Sequence, residues 1–537
     1  MIPVLFPLII FFGSADPAEV DIDKLYPLDP QLRVLSQDIQ NESYRTLVTT
    51  KMLTTDLAAE WQRVSTPDNA EKFLERHGGK DKVLNDPTLK KAYERRRKIS
   101  ADFLDLMRSG YARYKQVPPF DKGAIAEPAG TVVSRLSSAP VSVETIEACS
   151  GALKNWPGFR GPSGQGDVSE RPLPLKWSAT SANLAWKVDV PGRGHSSPVI
   201  WGNRLFVTTA MPKGTDRSLL CFDTAMGRCL WQKAVPEVPA ETGLWPKNSY
   251  ASSTPVTDGE RVYVFFGSAG MVCFDYSGSI IWHHPLTVKT THGVASSPIL
   301  YKDLVILCQD QNQSNSLFLA LKKKTGEVVW QETRSKSMGW ATPVILHVGD
   351  HDELIVASNG AVRGYNPATG KELWMLKGTT VEVVPAIVAG SGMIYSASGR
   401  NGPTLALRPG GQGDVSKTHL VWRAVRGGPH VPSPILVKDR LYTANDTGII
   451  TCLNARTGAL LFQERLNDTF SASPIACGDK IYCCGESGKT YVIRTSDTLD
   501  VLARNDLGES IYASPAVSEN SLYIRTASHL VRIQGGP

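Results

Sequence analysis

The sequence predicts an all-β fold, an eight-bladed propeller with four antiparallel strands per blade, preceded by a small N-terminal α-helical region. Three observations predict the ring: a recurring anchor of a small residue and proline, the regular spacing of the anchors, and a single strand ahead of the first one. Successive anchor prolines lie 57, 43, 45, 42, 49, 40 and 41 residues apart. Four short strands with their turns occupy about 40 to 45 residues, so this period is typical of propeller blades. The anchors are Ser197-Pro198, Thr254-Pro255, Ser297-Pro298, Thr342-Pro343, Val384-Pro385, Ser433-Pro434, Ser473-Pro474 and Ser514-Pro515.

Within each unit, short β-branched and aromatic runs alternate with turn residues, which is the pattern of β-hairpins. The unit after Ser473 has such runs over 473–476, 480–484 and 490–493, separated by glycine-containing turns. These runs predict the first three strands of a blade.

The connection from the third strand to the fourth has its own signature, a glycine followed four residues later by a large apolar ring. Glycine suits a tight turn with φ > 0, and a ring on the outer strand offers apolar surface to the neighbouring blade. In one unit an insertion over 409–418 replaces the turn before Trp422, and the last full unit has no tryptophan near Asp500. The pairs are Gly227/Trp231, Gly278/Trp282, Gly326/Trp330, Gly370/Trp374 and Gly458/Phe462.

The ends of the repeat region predict how the ring closes. Only two strands, 521–524 and 529–533, follow the eighth anchor, so that blade lacks its fourth strand. An outer-type strand over 184–188 with Trp186 precedes the first anchor. Pairing this strand with the last blade would complete the ring and remove an exposed edge.

The N-terminal region differs in composition. An unbroken apolar run over 2–12, followed by Gly13-Ser14-Ala15, predicts a signal peptide. The mature chain is therefore expected in the periplasm or outside the cell. No other run approaches the about 20 apolar residues of a membrane span, so we expect no span in the mature chain.

Helix signals follow the apolar run. Asp86 before Pro87 predicts a helix cap and first turn, and Gly78-Gly79 predicts the end of the preceding helix. A stretch rich in proline, serine, alanine and valine then reads as a linker. The predicted organisation is a signal peptide over 1–15, an α-helical region over 16–112, a linker over 113–154 and the propeller over 155–537.

Charge and cysteine content exclude several classes of function. A net charge of +6 over 537 residues, without a dense basic patch or a known module, argues against nucleic-acid binding. The nine cysteines have no zinc-like spacing, so we expect no metal site from them.

Three units carry a Thr-Gly turn: Asn366 to Gly370 before Trp374, Asn454 to Gly458, and Lys322 to Gly326 before Trp330. The pattern resembles the pyrroloquinoline-quinone-like (PQQ-like, quinoprotein-type) propeller repeat, whose usual form is a strand, Asp-x-x-Thr-Gly and a tryptophan. The run Asn-Trp-Pro-Gly-Phe-Arg-Gly-Pro at 155–162 resembles the segment ahead of the ring in exported bacterial members, especially those of planctomycetes. This superfamily includes quinoprotein dehydrogenases and non-catalytic propellers, among them the outer-membrane protein assembly lipoprotein. The resemblance therefore implies the fold and leaves the activity open.

The rim of the ring supplies the candidate ligand-binding residues. Loops that lead into the first strands and loops between the second and third strands share one face, the mouth. Their polar and aromatic residues suit a sugar, a peptide or a planar cofactor, and they equally suit a loop that only needs to meet solvent. The candidates are Arg193, His195, Tyr250, His292, Trp340, Glu382, Arg400, His430, Asp446, Glu486 and Tyr512.

The resemblance to quinoprotein dehydrogenases implies a calcium ion with oxygen ligands, arginine or lysine on the quinone carboxylates, a carboxylate base, and a vicinal disulfide. No local stretch of this sequence matches the Asp-based catalytic motif of those enzymes. Cys483 and Cys484 are adjacent in a predicted strand, where successive side chains point to opposite faces. We therefore expect no disulfide between them.

The leading hypothesis is an exported, non-enzymatic β-propeller, a binding or scaffold protein that recognises a protein or polysaccharide partner, with no catalytic residues and no cofactor. The alternative is a PQQ- and calcium-dependent quinoprotein dehydrogenase acting on alcohols or sugars. A third hypothesis is a hydrolase or lyase that uses histidines and carboxylates of the rim.

Overall fold

The computed structural model describes Leu74 and residues 77–94, 142–238, 241, 243–399 and 401–536. The chain divides into two compact units, Met1–Ala124 and Ile125–Pro537. The predicted signal peptide, most of the helical region and most of the linker lie outside the described residues, so their boundaries stay predictions.

The described part of the first unit contains helix α1 (Lys80–Asn85) and a second helical stretch over 87–94. Asp86 caps the second stretch, because its Oδ1 accepts the N–H groups of Thr88 at 2.8 Å and Leu89 at 3.0 Å. Gly78 and Gly79 adopt positive φ ahead of α1. The Asp86 cap prediction is confirmed, whereas the helix that Gly78-Gly79 is predicted to end lies mostly outside the described residues. Within the residues that the structure describes, no helix is both long and apolar enough to cross a membrane.

The second unit is a ring of eight four-stranded antiparallel blades, which confirms the predicted fold. Three strands precede the first blade: β1 (Val143–Thr145), β2 (Asp167–Val168) and β3 (Leu184–Asp189). The strands of each blade are given from the axis outward. Blade 1 contains β4 (Val199–Trp201), β5 (Arg204–Ala210), β6 (Arg217–Asp223) and β7 (Cys229–Ala234), and blade 2 contains β8 (Val256–Thr257), β9 (Arg261–Phe265), β10 (Met271–Asp275) and β11 (Ile280–His284). Blade 3 contains β12 (Ile299–Tyr301), β13 (Leu304–Gln309), β14 (Ser316–Lys322) and β15 (Val328–Arg334), and blade 4 contains β16 (Val344–Val348), β17 (His351–Ser358), β18 (Ala361–Tyr365) and β19 (Glu372–Lys377).

Blades 5 to 8 continue the ring with the same order of strands. Blade 5 contains β20 (Val388–Gly390), β21 (Met393–Ala397), β22 (Thr404–Leu407) and β24 (Leu420–Ala424), with the short inserted strand β23 (Gly413–Asp414) between β22 and β24 in the chain. Blade 6 contains β25 (Ile435–Val437), β26 (Arg440–Ala444), β27 (Ile449–Asn454) and β28 (Leu460–Arg465), and blade 7 contains β29 (Ile475–Cys477), β30 (Lys480–Cys484), β31 (Lys489–Arg494) and β32 (Asp500–Asp506). Blade 8 contains β33 (Ala516–Ser518), β34 (Ser521–Arg525) and β35 (His529–Gln534).

The predicted closure of the ring is present. Strand β3 pairs antiparallel with β35, with Trp186 opposite Arg532 and Val188 opposite Leu530. It thereby supplies the fourth strand of blade 8. The two ends of the propeller thus meet in one sheet, and this pairing removes a free edge.

Five of the six outer-strand tryptophans dock on the turn glycine of the next blade. Trp282 of blade 2 donates its indole Nε1–H to the carbonyl of Lys323 in blade 3 at 2.8 Å. A Cβ added at Gly326 would lie only 2.7 Å from the Trp282 ring. The glycine is therefore required by its positive φ of 73° and also by this close approach. The same docking joins Trp186 to Gly227, Trp231 to Gly278, Trp330 to Gly370 and Trp422 to Gly458.

Blade 4 departs from this docking pattern because the insertion over 409–418 removes the tight turn of blade 5. Trp374 instead donates its indole N–H to Oε2 of Glu353 in its own blade at 2.8 Å. Strand β23, within the insertion, pairs in parallel with β19 and extends the outer edge of blade 4. The insertion therefore replaces the docking turn with an added strand.

The hydroxyl groups of the anchors join successive blades. The backbone N–H of Ser433 donates to the hydroxyl of Ser473, and the N–H of Ser473 donates to that of Ser514, both at 2.9 Å. The same bond runs from Ser197 to Thr254, from Thr254 to Ser297 and from Ser297 to Thr342. Val384 has no hydroxyl, and in blade 5 the N–H of Ala386 donates to Ser433 instead. The anchor is therefore serine or threonine because its side chain binds the preceding blade.

Replacing Ser473 with alanine is expected to lower the free energy of unfolding by about 1 to 3 kcal/mol, because the buried N–H of Ser433 loses its acceptor. Chemical denaturation of the full chain measures this loss. Ser473→Thr retains the hydroxyl, as at the anchors Thr254 and Thr342, and is the matched control. Equal destabilisation by both variants would contradict the role of the hydroxyl.

The segment over 155–168, called the plug segment below, enters the ring along its axis. Trp156 exchanges two backbone hydrogen bonds with Ile200 of blade 1 at 2.8 and 2.9 Å. The buried guanidinium of Arg160 donates to the carbonyl of Pro434 in blade 6 at 2.7 Å. Further bonds reach blades 2, 5 and 7 through Pro157, Gln165 and Gly166. The run resembling the lead-in of exported relatives is thus a structural part of the ring.

Candidate functional site

The candidate residues of the rim lie on loops at the mouth of the ring. A longer loop, residues 235–254 between β7 and β8, here called the mouth loop, also reaches this face; residues 239, 240 and 242 in it lie outside the described residues. It accounts for the 57-residue interval between the first two anchor prolines, the longest of the seven. Its contacts decide how much of the rim faces solvent.

A buried ion pair anchors the mouth loop. Nη2 of Arg217, at the start of β6, lies 2.8 Å from Oε2 of Glu241, and their side chains are 1% and 3% exposed. Arg217 also donates to the carbonyl of Phe266, and Glu241 accepts the backbone N–H of Ser268 in blade 2. The Arg217 guanidinium lies 5.3 Å from the ring centroid of the rim residue Tyr250. Tyr250 therefore packs on the anchor of the loop.

A second ion pair joins the mouth loop to blade 7. Nζ of Lys247 lies 2.9 Å from Oε2 of Glu486 on the loop between β30 and β31 of blade 7. The mouth loop joins blades 1 and 2, so this contact spans blade 8. The hydroxyl of Ser471 also donates to Glu486, at 2.6 Å. Arg193 donates to the carbonyl of Pro246 at 2.9 Å. Two of the predicted rim residues, Arg193 and Glu486, thus bind the chain's own loop.

An aromatic group lies beside the mouth loop. The ring of Trp245 is 5.5 Å from that of His292, which in turn is 6.0 Å from Trp340 in an edge-on arrangement. The Trp340 indole donates to the carbonyl of Gly293 at 2.9 Å. Trp245 is 43% exposed, so this group presents apolar ring surface to solvent at the rim.

His195 and Tyr512 form a second aromatic pair where blades 1 and 8 meet. Their ring centroids lie 4.9 Å apart. Burial and the guanidinium groups of Arg525 and Arg193 lower the pKa of His195 from 6.5 to about 3. Arg525 is fully buried, and its Nη1 donates to the Ser196 hydroxyl and the Thr208 carbonyl, both at 2.7 Å. A neutral imidazole held beside cations is not available as a general acid near neutral pH.

The lowered pKa of His195 predicts acid sensitivity. Between pH 6.5 and about 3 the unfolded chain binds a proton at this position that the folded chain does not. The stability contribution is therefore fully present above pH 6.5 and is lost as the pH falls toward 3. His195→Phe keeps a ring against Tyr512 and is expected to lose less stability than the wild type between pH 7 and pH 4. Urea midpoints at both pH values measure the difference, and parallel losses would contradict the assignment.

A third group combines residues of blades 5 and 6. Oε2 of Glu382 lies 3.7 Å from Nε2 of His430, and the backbone N–H of His430 donates to Oδ1 of Asp446 at 3.3 Å. Glu382 adopts a positive φ of 59°, a backbone conformation that is strained for a non-glycine residue. These contacts join residues of two neighbouring blades in one group.

The structure therefore gives the described rim residues the following neighbours. His195 pairs with Tyr512, His292 with Trp340, and Glu382 with His430 and Asp446, while Arg193, Tyr250 and Glu486 contact the mouth loop or its anchor. Arg400 lies outside the described residues. Sequence analysis missed Arg217, Glu241, Trp245, Lys247 and Arg525, although the long first interval between anchors indicated an extra loop.

Three observations on the described residues bear on the quinone and calcium of the alternative hypothesis. Within the described ranges, no group of three or more His, Cys, Asp or Glu side chains is placed to hold a metal ion. Cys483 and Cys484 are free thiols that pack in different clusters, with blades 6 and 8 respectively. The carboxylate of Glu486 is already bound by Lys247 and Ser471. No catalytic step through these groups follows from this arrangement.

Comparison with known proteins places the chain in a family. The family model for the outer membrane protein assembly factor BamB matches residues 123–291, 241–408 and 405–502. BamB of Moranella endobia is 22% identical over 305 residues, which cover 54% of this chain and 70% of that protein. BamB of Shewanella oneidensis is 21% identical over 225 residues, which cover 39% of this chain and 54% of that protein, about half its length.

A solved structure supports the fold. The quinohemoprotein alcohol dehydrogenase from Comamonas testosteroni superposes with a TM-score of 0.52 at 11% identity, over 72% of this chain and 82% of that chain. At that identity the likeness shows the fold alone. Because the residues matched by the family model together cover more than half of the sequence, the chain belongs to the BamB family of PQQ-like β-propellers.

Proposed function

We propose that this protein is an exported, non-enzymatic propeller of the periplasm that binds a protein partner. The observation that carries the proposal is the mouth loop, whose Lys247 pairs with Glu486 of blade 7 at the rim. In a dehydrogenase of this fold, the mouth would have to admit a quinone and a substrate. In this chain, the polar rim residues Arg193 and Glu486 bind the mouth loop instead.

Membership of the BamB family supports a protein partner. The relatives are named for the assembly of outer membrane proteins, and we propose that this chain takes part in an assembly of the same kind. Of the two partner classes predicted from the sequence, the family match favours a protein and offers no support for a polysaccharide. The apolar run over 2–12 supports export.

In-cell photocrosslinking tests this function. A photoreactive residue is placed in the full chain at exposed positions on different faces of the ring, such as Trp245, Ile281, Val329 and Val425. We expect at least one position to give a discrete protein adduct in the cell envelope, identified by mass spectrometry. Absence of an adduct at every position, with the chain folded and exported, would overturn the proposed function.

A further inference from the structure

One cleft of the second unit lies away from the predicted rim residues. It encloses about 940 Å³ and is bordered by residues 144–151, by part of the plug segment and by the inner strands of blades 2 to 4. Lys302, in the turn from β12 to β13, and Asp352, just after the turn from β16 to β17, line it. These turns lie at the end of the blades opposite the mouth.

The free edge of β12 borders this cleft. Five consecutive residues, from Pro298 to Lys302, line it. Successive side chains of a strand point to opposite faces, so an unbroken run of lining residues means that the backbone edge itself faces the cleft. Within the residues that the structure describes, β12 pairs with β13 and with no other strand. Every second residue of such an edge directs its N–H and C=O groups outward.

The chain already covers the equivalent edge in two other blades. Strand β1 pairs antiparallel with β16 of blade 4, with Val143 opposite Val348 and Thr145 opposite Leu346. Strand β2 pairs in parallel with β29 of blade 7. The inner edge of a blade in this ring therefore accepts one more extended strand, in either direction.

The lining of the cleft sets the chemistry of such a strand. Leu300, Val344 and Ile345 are buried apolar residues on its inner wall. The polar groups at one end are already paired, since Asp352 accepts from the Tyr301 hydroxyl and binds His347 Nδ1, both at 2.8 Å. An occupant would gain backbone hydrogen bonds along β12 and bury apolar side chains at alternate positions.

From this geometry we infer that the cleft is a docking site for an extended segment of a partner protein, which adds as a strand to the inner edge of blade 3. The site rests on the proposed protein-binding function and specifies where and how one partner segment binds. Alternating apolar side chains of the segment enter the cleft, and its backbone pairs with β12.

A displayed library of random peptides of about 12 residues, longer than a typical strand, tests the site with the full chain. Selected peptides are titrated by fluorescence anisotropy against the wild type, Ser150→Trp and Leu153→Trp. Ser150 is exposed and lines the cleft, whereas Leu153 is 63% exposed and does not line it. We expect Ser150→Trp to raise Kd at least about tenfold, which is about 1.4 kcal/mol, and Leu153→Trp to leave it unchanged. N-methylation of alternate peptide amides should cause a similar loss.

Cys149 supplies a second readout that does not depend on substitution. Its half-buried thiol lines the cleft, and burial raises its pKa to about 11. A bound peptide should slow the alkylation of Cys149 and leave that of the exposed Cys229 unchanged.

Any of the following results would overturn the docking site. The library could yield no binder, the selected peptides could bind Ser150→Trp as well as the wild type, or N-methylation could have no effect, as for a compact small-molecule-like ligand. Loss of a self-associated form in Ser150→Trp, seen by sedimentation, would assign the cleft to a second copy of this chain and would also contradict a foreign partner. If an in-cell protein adduct forms equally in the wild type and Ser150→Trp, the cleft proposal fails and the proposed function stands.

Discussion

Gly326→Ala is expected to destabilise the ring by about 2 to 5 kcal/mol. Two costs add: an alanine at φ 73° costs about 1 to 2 kcal/mol, and its Cβ would lie 2.7 Å from the Trp282 ring, an overpacking that costs about 1 to 3 kcal/mol. The substituted turn would also push against the outer strand of blade 2. Chemical denaturation monitored by tryptophan fluorescence measures the loss.

Gly392→Ala separates the two costs. Gly392 has a nearly identical φ of 74°, but a Cβ there would meet no atom within 4 Å. Its substitution is expected to cost only the conformational part. If both variants lose the same stability, the close approach of Trp282 contributes nothing, and the docking between blades is not what selects glycine in this turn.

Glu241→Ala is the second large effect, an expected loss of about 3 to 5 kcal/mol. Removing this carboxylate leaves the buried guanidinium of Arg217 without its charged partner. The mouth loop should then separate from the ring to let water reach Arg217, so the loss should concentrate there. Hydrogen exchange should become faster over 243–254 and stay unchanged in the blades away from the mouth.

Two further variants test the cause of the stability loss expected for Glu241→Ala. Lys247→Ala breaks an ion pair whose lysine side chain is 56% exposed, and it should cost no more than about 1 kcal/mol. Arg217→Met combined with Glu241→Leu replaces the buried pair with apolar groups and should be less destabilising than Glu241→Ala alone. A double variant as unstable as the single one would show that the uncompensated charge is not the cause.

The fold was predictable because its signals are local and repeated. The turns and the anchor of each blade lie within about 45 residues of sequence. Trp186 identifies the closing strand because a tryptophan also marks the outer strand of most other blades. Asp86 likewise marked a helix start that the structure confirms. The reason why the anchor is serine or threonine was not evident from the sequence. The structure explains it, because the hydroxyl accepts a hydrogen bond from the preceding blade.

The site was less predictable because its contacts join loops from distant blades. Lys247 and Glu486 are 239 residues apart in sequence, and no local pattern connects them. Arg525 reads as an ordinary strand residue, yet it is buried beside His195 and lowers its pKa. The only sign of the mouth loop in the sequence was a longer interval between the first two anchors. The cleft along β12 depends on where β1 and the plug segment lie, which the sequence of the repeats does not encode.

Titration of the purified full chain with pyrroloquinoline quinone in the presence of calcium tests the central claim most directly. Because Arg193 and Glu486 of the rim bind the chain's own mouth loop, we expect no saturable binding in calorimetry, no quinone absorbance retained after gel filtration, and no dye reduction with alcohols or aldoses. Stoichiometric binding of one quinone per chain, accompanied by dye reduction, would contradict the assignment of this propeller as a protein-binding member of its family.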